Sequence, residues 1–210
     1  MNIISPRLPA PPPTKDIVAK RALDLVSASA LLVLTLPLLA LIALMIRLVD
    51  GGPVLFRQTR IGLHGAPFTL LKFRTMTETS DTLPEAAHPV SVTALGRHLR
   101  RWGLDEFPQL LNVLAGQMSM VGPRPHTQDD DARWMKAIDA YAERSKVKPG
   151  ITGWAQVNGY HGFSSGDEAL SLRVQLDVEY AKNWSLLFDL RILILTIFEL
   201  PMDQRGNRAP

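Results

Sequence analysis

The chain has 210 residues, a formal net charge of +3 and no cysteine. This length fits one domain, or one domain with an appendage. The lack of cysteine excludes disulfide scaffolds, Cys-ligated zinc, iron–sulfur clusters and thiol catalysis. A hydrophobic fraction of 46% excludes a disordered chain. Burial of apolar side chains must therefore stabilise the fold.

The N-terminal quarter contains a tail followed by a strongly apolar segment. Prolines punctuate residues 1–13 and predict an extended tail. Residues 14–50 are predicted to form a membrane-anchoring helix, because no charged side chain occurs between Asp24 and Arg47. Such a run is long enough to cross the roughly 30 Å hydrocarbon core of a bilayer. It exceeds the apolar region of about 7–15 residues in a cleavable signal peptide, so we expect it to stay attached.

The course of this segment through the membrane depends on Pro37. Basic residues flank the segment on both sides, so neither end is easily translocated. Pro37 removes the hydrogen bond to the Val33 carbonyl and predicts a kink, with Thr35 positioned to take up some exposed backbone polarity. We therefore favour a re-entrant helix, kinked at Pro37, that enters and leaves on one face. A helix that spans the bilayer and tolerates the proline is the alternative.

Residues 51–200 are predicted to form one domain of the α+β class, mostly helical, with a small β-hairpin. The hairpin strands are expected at residues 54–60 and 67–74, and a polar loop at 77–91. Short helices are expected at about 92–102, 106–115, 130–145 and 167–183, with Gly/Pro-bearing links at 116–125 and 148–166. The last helix, 185–200, carries an apolar stripe that could pack on a core or lie in a membrane interface, and residues 201–210 form a C-terminal tail.

Asp105 and Glu106 are the first candidates for chemistry. Arg97, Arg100 and Arg101 precede them at helical spacing, so one cationic helix face leads directly into two carboxylates. Cations, a helix N-terminus and adjacent acids are suited to holding a phosphate and a divalent metal. The alternatives are that Asp105 is an ordinary N-cap and that the arginines form a solvated or headgroup-facing surface.

Two further cations stand in unusual settings. Lys72 and Arg74 flank Phe73 in a predicted strand, which places both on one side, although ordinary exposed strands alternate in the same way. Arg124 lies between Pro123 and Pro125, and such a rigid arginine is suited to bidentate phosphate contact unless the segment is only a stiff turn. Nucleic acid is not an expected partner, because +3 is a modest charge and the cations lie near the membrane segment.

Six ordered blocks of the sequence together resemble a known family, the monotopic bacterial phosphoglycosyl transferases, or bacterial sugar transferases. The resemblance covers roughly residues 15–200. The blocks are KRALD at 20–24, GPVLFRQ at 52–58, KFRTM at 72–76, LDEFPQL at 104–110, MSMVGPRP at 118–125, and the glycine-rich stretch at 149–159.

This resemblance implies transfer of a sugar phosphate from a UDP-sugar onto polyprenyl (undecaprenyl) phosphate, with release of UMP, at the start of exopolysaccharide or glycan assembly. By the same resemblance, Asp105 attacks the sugar-bearing phosphorus, Glu106 helps to bind Mg²⁺, and Lys72, Arg100 and Arg124 contact phosphates. The catalytic domain would lie on the cytoplasmic face of the bacterial inner membrane, in contact with membrane lipids, and could assemble as a homo-oligomer.

The sequence departs from the family pattern at two positions. Leu36 precedes Pro37 where the family often has serine, and Gly103 stands where a small hydroxyl residue is common. Some relatives carry a large N-terminal membrane domain, so with its short tail this chain is expected to be a minimal catalytic unit. Two non-enzymatic alternatives are a membrane-bound scaffold for glycan-assembly enzymes and a module that binds anionic lipids.

Overall fold

A computed structural model describes residues 14–77, 91–160 and 167–199. The predicted tails at 1–13 and 201–210, and most of the predicted loop at 77–91, lie outside these residues. The first element is a long helix, α1 (Thr14–Met45), which ends in a π-helical turn at Ile46–Asp50. In the described residues it is the one helix long and apolar enough to cross a membrane, and only 17% of its most apolar 18-residue window is buried.

The helix α1 continues without interruption through Pro37. The Thr35 hydroxyl donates a hydrogen bond to the Leu31 carbonyl at 2.7 Å, one turn back. The Thr35 hydroxyl therefore bonds to the Leu31 carbonyl, and not to the Val33 carbonyl that loses its hydrogen bond at Pro37. Hydroxyls that bond to the preceding turn often bend a helix.

The predicted hairpin is confirmed as two antiparallel strands, β1 (Leu55–Ile61) and β2 (Pro67–Phe73). A short 3-10 turn at Leu63–Gly65 connects them. Three elements follow in the order α2 (Ala94–Arg101), a 3-10 turn (Leu104–Glu106) and α3 (Gln109–Leu114). This succession carries the chain from the cationic helix, through the two carboxylates, onto the hairpin.

The C-terminal half contains a second, smaller sheet and the remaining helices. Strands β3 (Ser119–Val121) and β4 (Gly150–Thr152) pair in parallel. Between them lie α4 (Gln128–Ala137) and a 3-10 helix (Tyr141–Lys146), and after them come α5 (Trp154–Val157), α6 (Asp167–Asn183) and α7 (Leu186–Glu199). The molecule is thus mostly helical, as expected.

Two sequence-based expectations in this half are wrong. The helix expected at 130–145 is broken, because Ile138 adopts an extended conformation with φ of −130° and ψ of 110° after α4 ends. The segments 116–125 and 148–166 are not only links, since they contain β3, β4 and α5. Strands of three residues are too short for an alternating pattern to reveal them.

Contacts fix both ends of α1 to the rest of the chain. Near its start, Arg21 donates hydrogen bonds to the Val113 and Leu114 carbonyls at 2.7 and 2.8 Å. Asp24 accepts hydrogen bonds from the Ser119 hydroxyl at 2.8 Å and the Met120 N–H at 2.9 Å.

One buried apolar cluster packs the C-terminal end of α1 against the hairpin and α2; its members are Leu39, Ile42, Ile46, Phe73 and Leu99. The outer side of α1 exposes large apolar side chains, including Val26, Val33, Leu34, Leu36, Leu41 and Leu44.

Candidate active site

Lys72 enters the site from the hairpin. The register pairs Gln58 with Leu70 and Arg60 with Phe68, and side chains two residues apart on a strand share a face. Lys72, Leu70 and Arg60 therefore lie on the same face of the hairpin. The Lys72 ammonium donates to Glu106 Oε1 at 2.7 Å. The structure therefore places Lys72 in direct contact with Glu106, and its expected contact with a phosphate stays a prediction.

The two carboxylates, Asp105 and Glu106, lie in the 3-10 turn between α2 and α3. Gly103 precedes this turn with φ of +64°, a left-handed conformation that glycine adopts at little cost. The residue that departs from the family pattern thus occupies a position where the backbone suits glycine. Asp105 does not cap α3, since Pro108 occupies the N-cap position, and the capping alternative is wrong. Asp105 is buried, with 8% of its surface exposed.

Arg124 reaches the same turn from the segment after β3. Its guanidinium donates to both oxygens of Glu106, with Nη1 3.0 Å from Oε2 and Nη2 bonded to Oε1. The backbone around it is tightly held, because the Gly122 N–H donates to the Thr152 carbonyl and the Gly150 N–H to the Pro123 carbonyl. A Cβ atom at Gly122 would lie 2.2 Å from the Lys148 carbonyl oxygen. The blocks 118–125 and 149–159 therefore need glycine at position 122 to pack together and fix Arg124.

The backbone of Arg124 is held in turn by a buried arginine, Arg144. Arg144, itself buried, donates through Nη2 to the Arg124 carbonyl and forms a salt bridge of 2.9 Å with the buried Asp177. Its Nη1 lies 2.8 Å from Nδ1 of His126. Arg144 lies in a short 3-10 helix and Asp177 in α6, and no local sequence pattern marks either residue.

The environments of the two adjacent carboxylates push their pKa values apart. Burial acts to raise the pKa of Glu106, but the charges and hydrogen bonds of Arg124 and Lys72 outweigh it and hold the pKa well below its usual range. Burial, together with the charge of Glu106, raises the pKa of Asp105, while Lys72 and Arg100 oppose that rise. Divergent pKa values in neighbouring acids are typical of groups with different chemical roles.

Arg100 and Pro37 lie apart from the Lys72–Glu106–Arg124 cluster. Arg100 is exposed on α2 and its Nε donates to the Thr75 hydroxyl at 2.8 Å. The charge of Arg100 acts to lower the pKa of Asp105. Arg74 follows β2 and donates to the carbonyls of Asp50 and Gly51, so it ties the hairpin to the end of the long helix. Pro37 belongs to the apolar helix and has no part in the cluster.

A small cleft beside the cluster brings in residues that sequence analysis missed. Its lining comprises Arg60, Leu70, Lys72, Gln109, Arg124 and Pro125. Gln109 is buried and follows directly on the Asp-Glu-Phe-Pro sequence. The period-two spacing of Gln58, Arg60, Leu70 and Lys72 could have indicated Arg60, but only with the hairpin register known.

The carboxylate pair also bears on the expected metal. No group of three or more His, Cys, Asp or Glu side chains suited to a metal ion occurs within residues 14–77, 91–160 and 167–199. Magnesium usually takes only one or two protein carboxylates together with waters and substrate phosphates. The predicted Mg²⁺ ligand, Glu106, accepts hydrogen bonds from Lys72 and Arg124 at both of its oxygens, so Mg²⁺ binding at Glu106 stays a prediction.

Comparison with known proteins places this geometry in context. A family model described as bacterial sugar transferase matches residues 15–202. The UDP-glucose:undecaprenyl-phosphate glucose-1-phosphate transferase of Escherichia coli (strain K12) is 46% identical over 183 residues, covering 86% of this chain and 39% of the relative. The transferase of the same name from Caulobacter vibrioides is 48% identical over 182 residues, covering 85% of this chain and 68% of the relative.

A third relative, the uncharacterized sugar transferase EpsL of Bacillus subtilis (strain 168), is 45% identical over 185 residues and is covered over 86% of both chains. Several relatives are much longer than this chain, which spans about two fifths of the Escherichia coli and Klebsiella pneumoniae proteins. The matched region contains the Asp105–Glu106 turn, the hairpin and the Arg124 segment.

Proposed function

Because the chain belongs to the bacterial sugar transferase family, we propose that it transfers a sugar phosphate from a UDP-sugar to undecaprenyl phosphate in exopolysaccharide assembly. UDP-glucose is the first donor to test, since relatives at 43–48% identity are named for it. The observation that carries the proposal is the contact of Lys72 and Arg124 with Glu106 beside the buried Asp105.

Two displacements at one phosphorus would complete the transfer. The Asp105 carboxylate attacks the sugar-bearing phosphorus, a P–O bond forms, and the anhydride bond to UMP breaks. The polyprenyl phosphate oxygen then attacks the same phosphorus, the bond to Asp105 breaks, and the free carboxylate returns. Dividing the transfer in this way lets a soluble donor and a lipid acceptor use one site in turn.

Lys72, Arg124 and Arg100 would neutralise the phosphates during these steps. Lys72 has three N–H donors and Arg124 has five, so both keep donors beyond those they give to Glu106. Glu106, ionised because of its cationic neighbours, holds Lys72 and Arg124 at fixed positions beside Asp105. Mg²⁺, if bound at Glu106, would supply further neutralisation of phosphate charge.

The attachment of α1 supports the re-entrant topology at the membrane. A helix that crosses the bilayer places its ends on opposite sides of about 30 Å of hydrocarbon. Here Arg21 and Asp24 near one end, and Ile42 and Ile46 near the other, all contact the same domain. Both ends would then lie on one side, with the exposed apolar face in lipid and the domain on the cytoplasmic face of the inner membrane.

The activity is tested with purified protein in lipid nanodiscs containing undecaprenyl phosphate, with Mg²⁺ and a panel of UDP-sugars headed by UDP-glucose. We expect acceptor-dependent release of UMP from one donor. Asp105→Asn should lower the rate by about 10³-fold or more, because the nucleophile is lost. The matched control, Asp139→Asn, changes an exposed aspartate and should leave the rate unchanged. Silence with every donor in folded protein would contradict the proposal and favour a scaffold.

The topology is tested by cysteine labelling, which is clean because the chain has no cysteine of its own. Lys15→Cys lies before the apolar segment and Ala66→Cys lies in the hairpin turn; both positions are exposed. In intact spheroplasts a membrane-impermeant maleimide should label neither variant, whereas both should react after lysis. Labelling of one position alone in intact cells would support a spanning helix.

A further inference from the structure

The cleft beside the Lys72–Glu106–Arg124 cluster is lined by one more cation than the cluster itself contains. Arg60, Lys72 and Arg124 all line it. Lys72 and Arg124 share a single carboxylate, Glu106. The oxygens that Arg60 contacts are neutral, namely Gln58 Oε1 at 2.6 Å and the Pro125 carbonyl at 3.4 Å. Three cations therefore line the cleft, and two of them share one carboxylate that lies beside it.

The position of Arg60 follows from the hairpin register. Arg60 and Lys72 lie on the same face of the hairpin, on either side of Leu70, which is the cleft residue between them. The Ile61 N–H donates to the His126 carbonyl at 3.0 Å and joins the end of β1 to the segment that follows Arg124. Arg60 and Arg124 are thus held beside each other by backbone contacts, and not by attraction between their side chains.

The side chain of Arg60 is also incompletely satisfied. Its Nε is buried and has no hydrogen-bond partner. Buried donors in folded proteins are nearly always paired, so an unpaired donor next to a cationic cleft suits an anionic ligand. Burial and the charge of Arg124 lower the pKa of Arg60, although Asp130 and Glu106 act in the opposite direction. An anion between the two guanidinium groups would relieve their repulsion.

We propose that Arg60 is a further substrate-binding residue, which contacts a phosphate oxygen of the substrate in the cleft shared with Lys72 and Arg124. The inference rests on the proposed function for the identity of the substrate. An arginine can give a phosphate two parallel N–H donors, which suits contact with one phosphate group. The shared chemistry is a phosphate, and it comes from either the nucleotide donor or the polyprenyl acceptor.

The strand itself offers a matched control. Arg57 lies on the same strand, pairs with Leu71 on the opposite face of the hairpin, and is exposed. Arg60→Gln and Arg57→Gln remove the same charge from the same strand. Any effect of total charge on lipid or substrate attraction should therefore appear in both variants, and an effect of phosphate contact only in Arg60→Gln.

The first measurement is calorimetric binding of inorganic pyrophosphate to the nanodisc-embedded protein. Arg60→Gln should weaken binding by about tenfold or more, as expected for loss of a hydrogen bond from a charged group, and Arg57→Gln by less than about twofold. The second measurement is the KM for each substrate. A rise in the KM for the UDP-sugar assigns the phosphate to the donor, and a rise in the KM for undecaprenyl phosphate assigns it to the acceptor.

Equal pyrophosphate affinity and equal KM values in folded Arg60→Gln and Arg57→Gln would overturn the proposal. If Arg60→Gln melts at a lower temperature than Arg57→Gln, Arg60→Lys decides the matter, because it keeps the charge and loses the parallel pair of guanidinium donors. It should weaken pyrophosphate binding several-fold, and unchanged binding would count against Arg60. If the unsubstituted chain releases no UMP, the proposed function fails, and the pyrophosphate measurement still decides the role of Arg60.

Discussion

Two lysine–carboxylate pairs in this molecule have the same length and opposite settings. Lys20 lies 2.7 Å from Asp189, and Lys72 lies 2.7 Å from Glu106. The Asp189 side chain is 0% exposed, and its oxygens also accept from Tyr180 and Trp184 at 2.7 and 3.1 Å. The Glu106 side chain is 20% exposed and shares its charge between two cations.

The difference between the two regions lies in what surrounds the same ion pair. At Asp189 one cation meets one carboxylate, two neutral donors also bond to the carboxylate oxygens, and the side chain is fully buried. Such a balanced and closed arrangement connects α1 to α7. At Glu106 the cations outnumber the carboxylate, a cleft is open beside them, and Asp105 is adjacent. An unbalanced and open arrangement is suited to exchanging partners with a ligand.

The largest effect on stability is expected from breaking the closed pair. Asp189→Asn leaves the Lys20 ammonium, only 15% exposed, without its counter-charge, and breaking buried pairs costs about 3–5 kcal/mol. Thermal unfolding of the nanodisc-embedded protein, followed by circular dichroism, should show a clear fall in the midpoint. An unchanged midpoint would mean that the Lys20–Asp189 pair does not stabilise the attachment of α1.

The open pair should give the reverse pattern. Glu106→Gln keeps the shape of the side chain but removes the charge that orders Lys72 and Arg124, so we expect about a 10²-fold loss of UMP release. The unfolding midpoint should change little, because the pair is partly exposed and the two cations can be solvated through the cleft. Destabilisation as large as that of Asp189→Asn would remove the distinction between the two regions.

The pH dependence sharpens the comparison through Asp105. Its pKa is raised above the ordinary 3.8, chiefly by burial, so the nucleophilic carboxylate is lost at a higher pH than an ordinary aspartate would be. When kcat/KM for UMP release is measured across pH, we expect it to fall on the acid side. That fall should occur at a pH above 3.8, the ordinary pKa of an aspartate.

The same shift has a consequence for stability. The folded chain holds this proton more tightly than the unfolded chain, so the contribution of protonated Asp105 is complete below the unfolded pKa and is lost as the pH rises through the folded pKa. Asp105→Asn cannot ionise, and its unfolding midpoint should therefore exceed that of the unsubstituted protein increasingly as the pH rises through that range. A gap between the two midpoints that does not widen with pH would contradict the shift.

The smallest effect is expected at a third pair of the same length. Lys146 lies 2.7 Å from Glu143, but these side chains are 52% and 30% exposed. Exposed pairs contribute about 0–1 kcal/mol, so Glu143→Gln should leave both the unfolding midpoint and UMP release nearly unchanged. It is the matched control for Glu106→Gln, and a marked effect would show that distance alone governs these pairs.

Local patterns predicted much of the fold and part of the site. The long apolar run, the two strands of the hairpin and the last two helices could each be predicted from the residues of that segment alone. Asp105 and Glu106 were found because basic residues precede them in sequence, and Arg124 because prolines enclose it. The predicted roles of Asp105, Glu106, Lys72, Arg100 and Arg124 remain proposals to be tested by substitution.

What sequence reasoning missed depends on contacts between distant segments. The parallel pairing of Ser119 with Gly150 joins strands too short to show alternation. The break after α4 occurs at Ile138-Asp139-Ala140, where no proline or glycine marks it. Arg60 becomes significant only when the register places it beside Lys72 and Arg124. Likewise, the KRALD block gave no indication that its charged side chains bond to α3, β3 and α7.

The polar contacts near the start of α1 make this helix indivisible from the domain it anchors. A truncation designed to obtain a soluble enzyme would remove Lys20, the counter-charge of the fully buried Asp189, and Asp24, the acceptor for two donors at β3. It would also remove Arg21, which satisfies the last carbonyls of α3. We therefore expect removal of the helix to unfold the domain, so a shortened chain has to keep Lys20, Arg21 and Asp24.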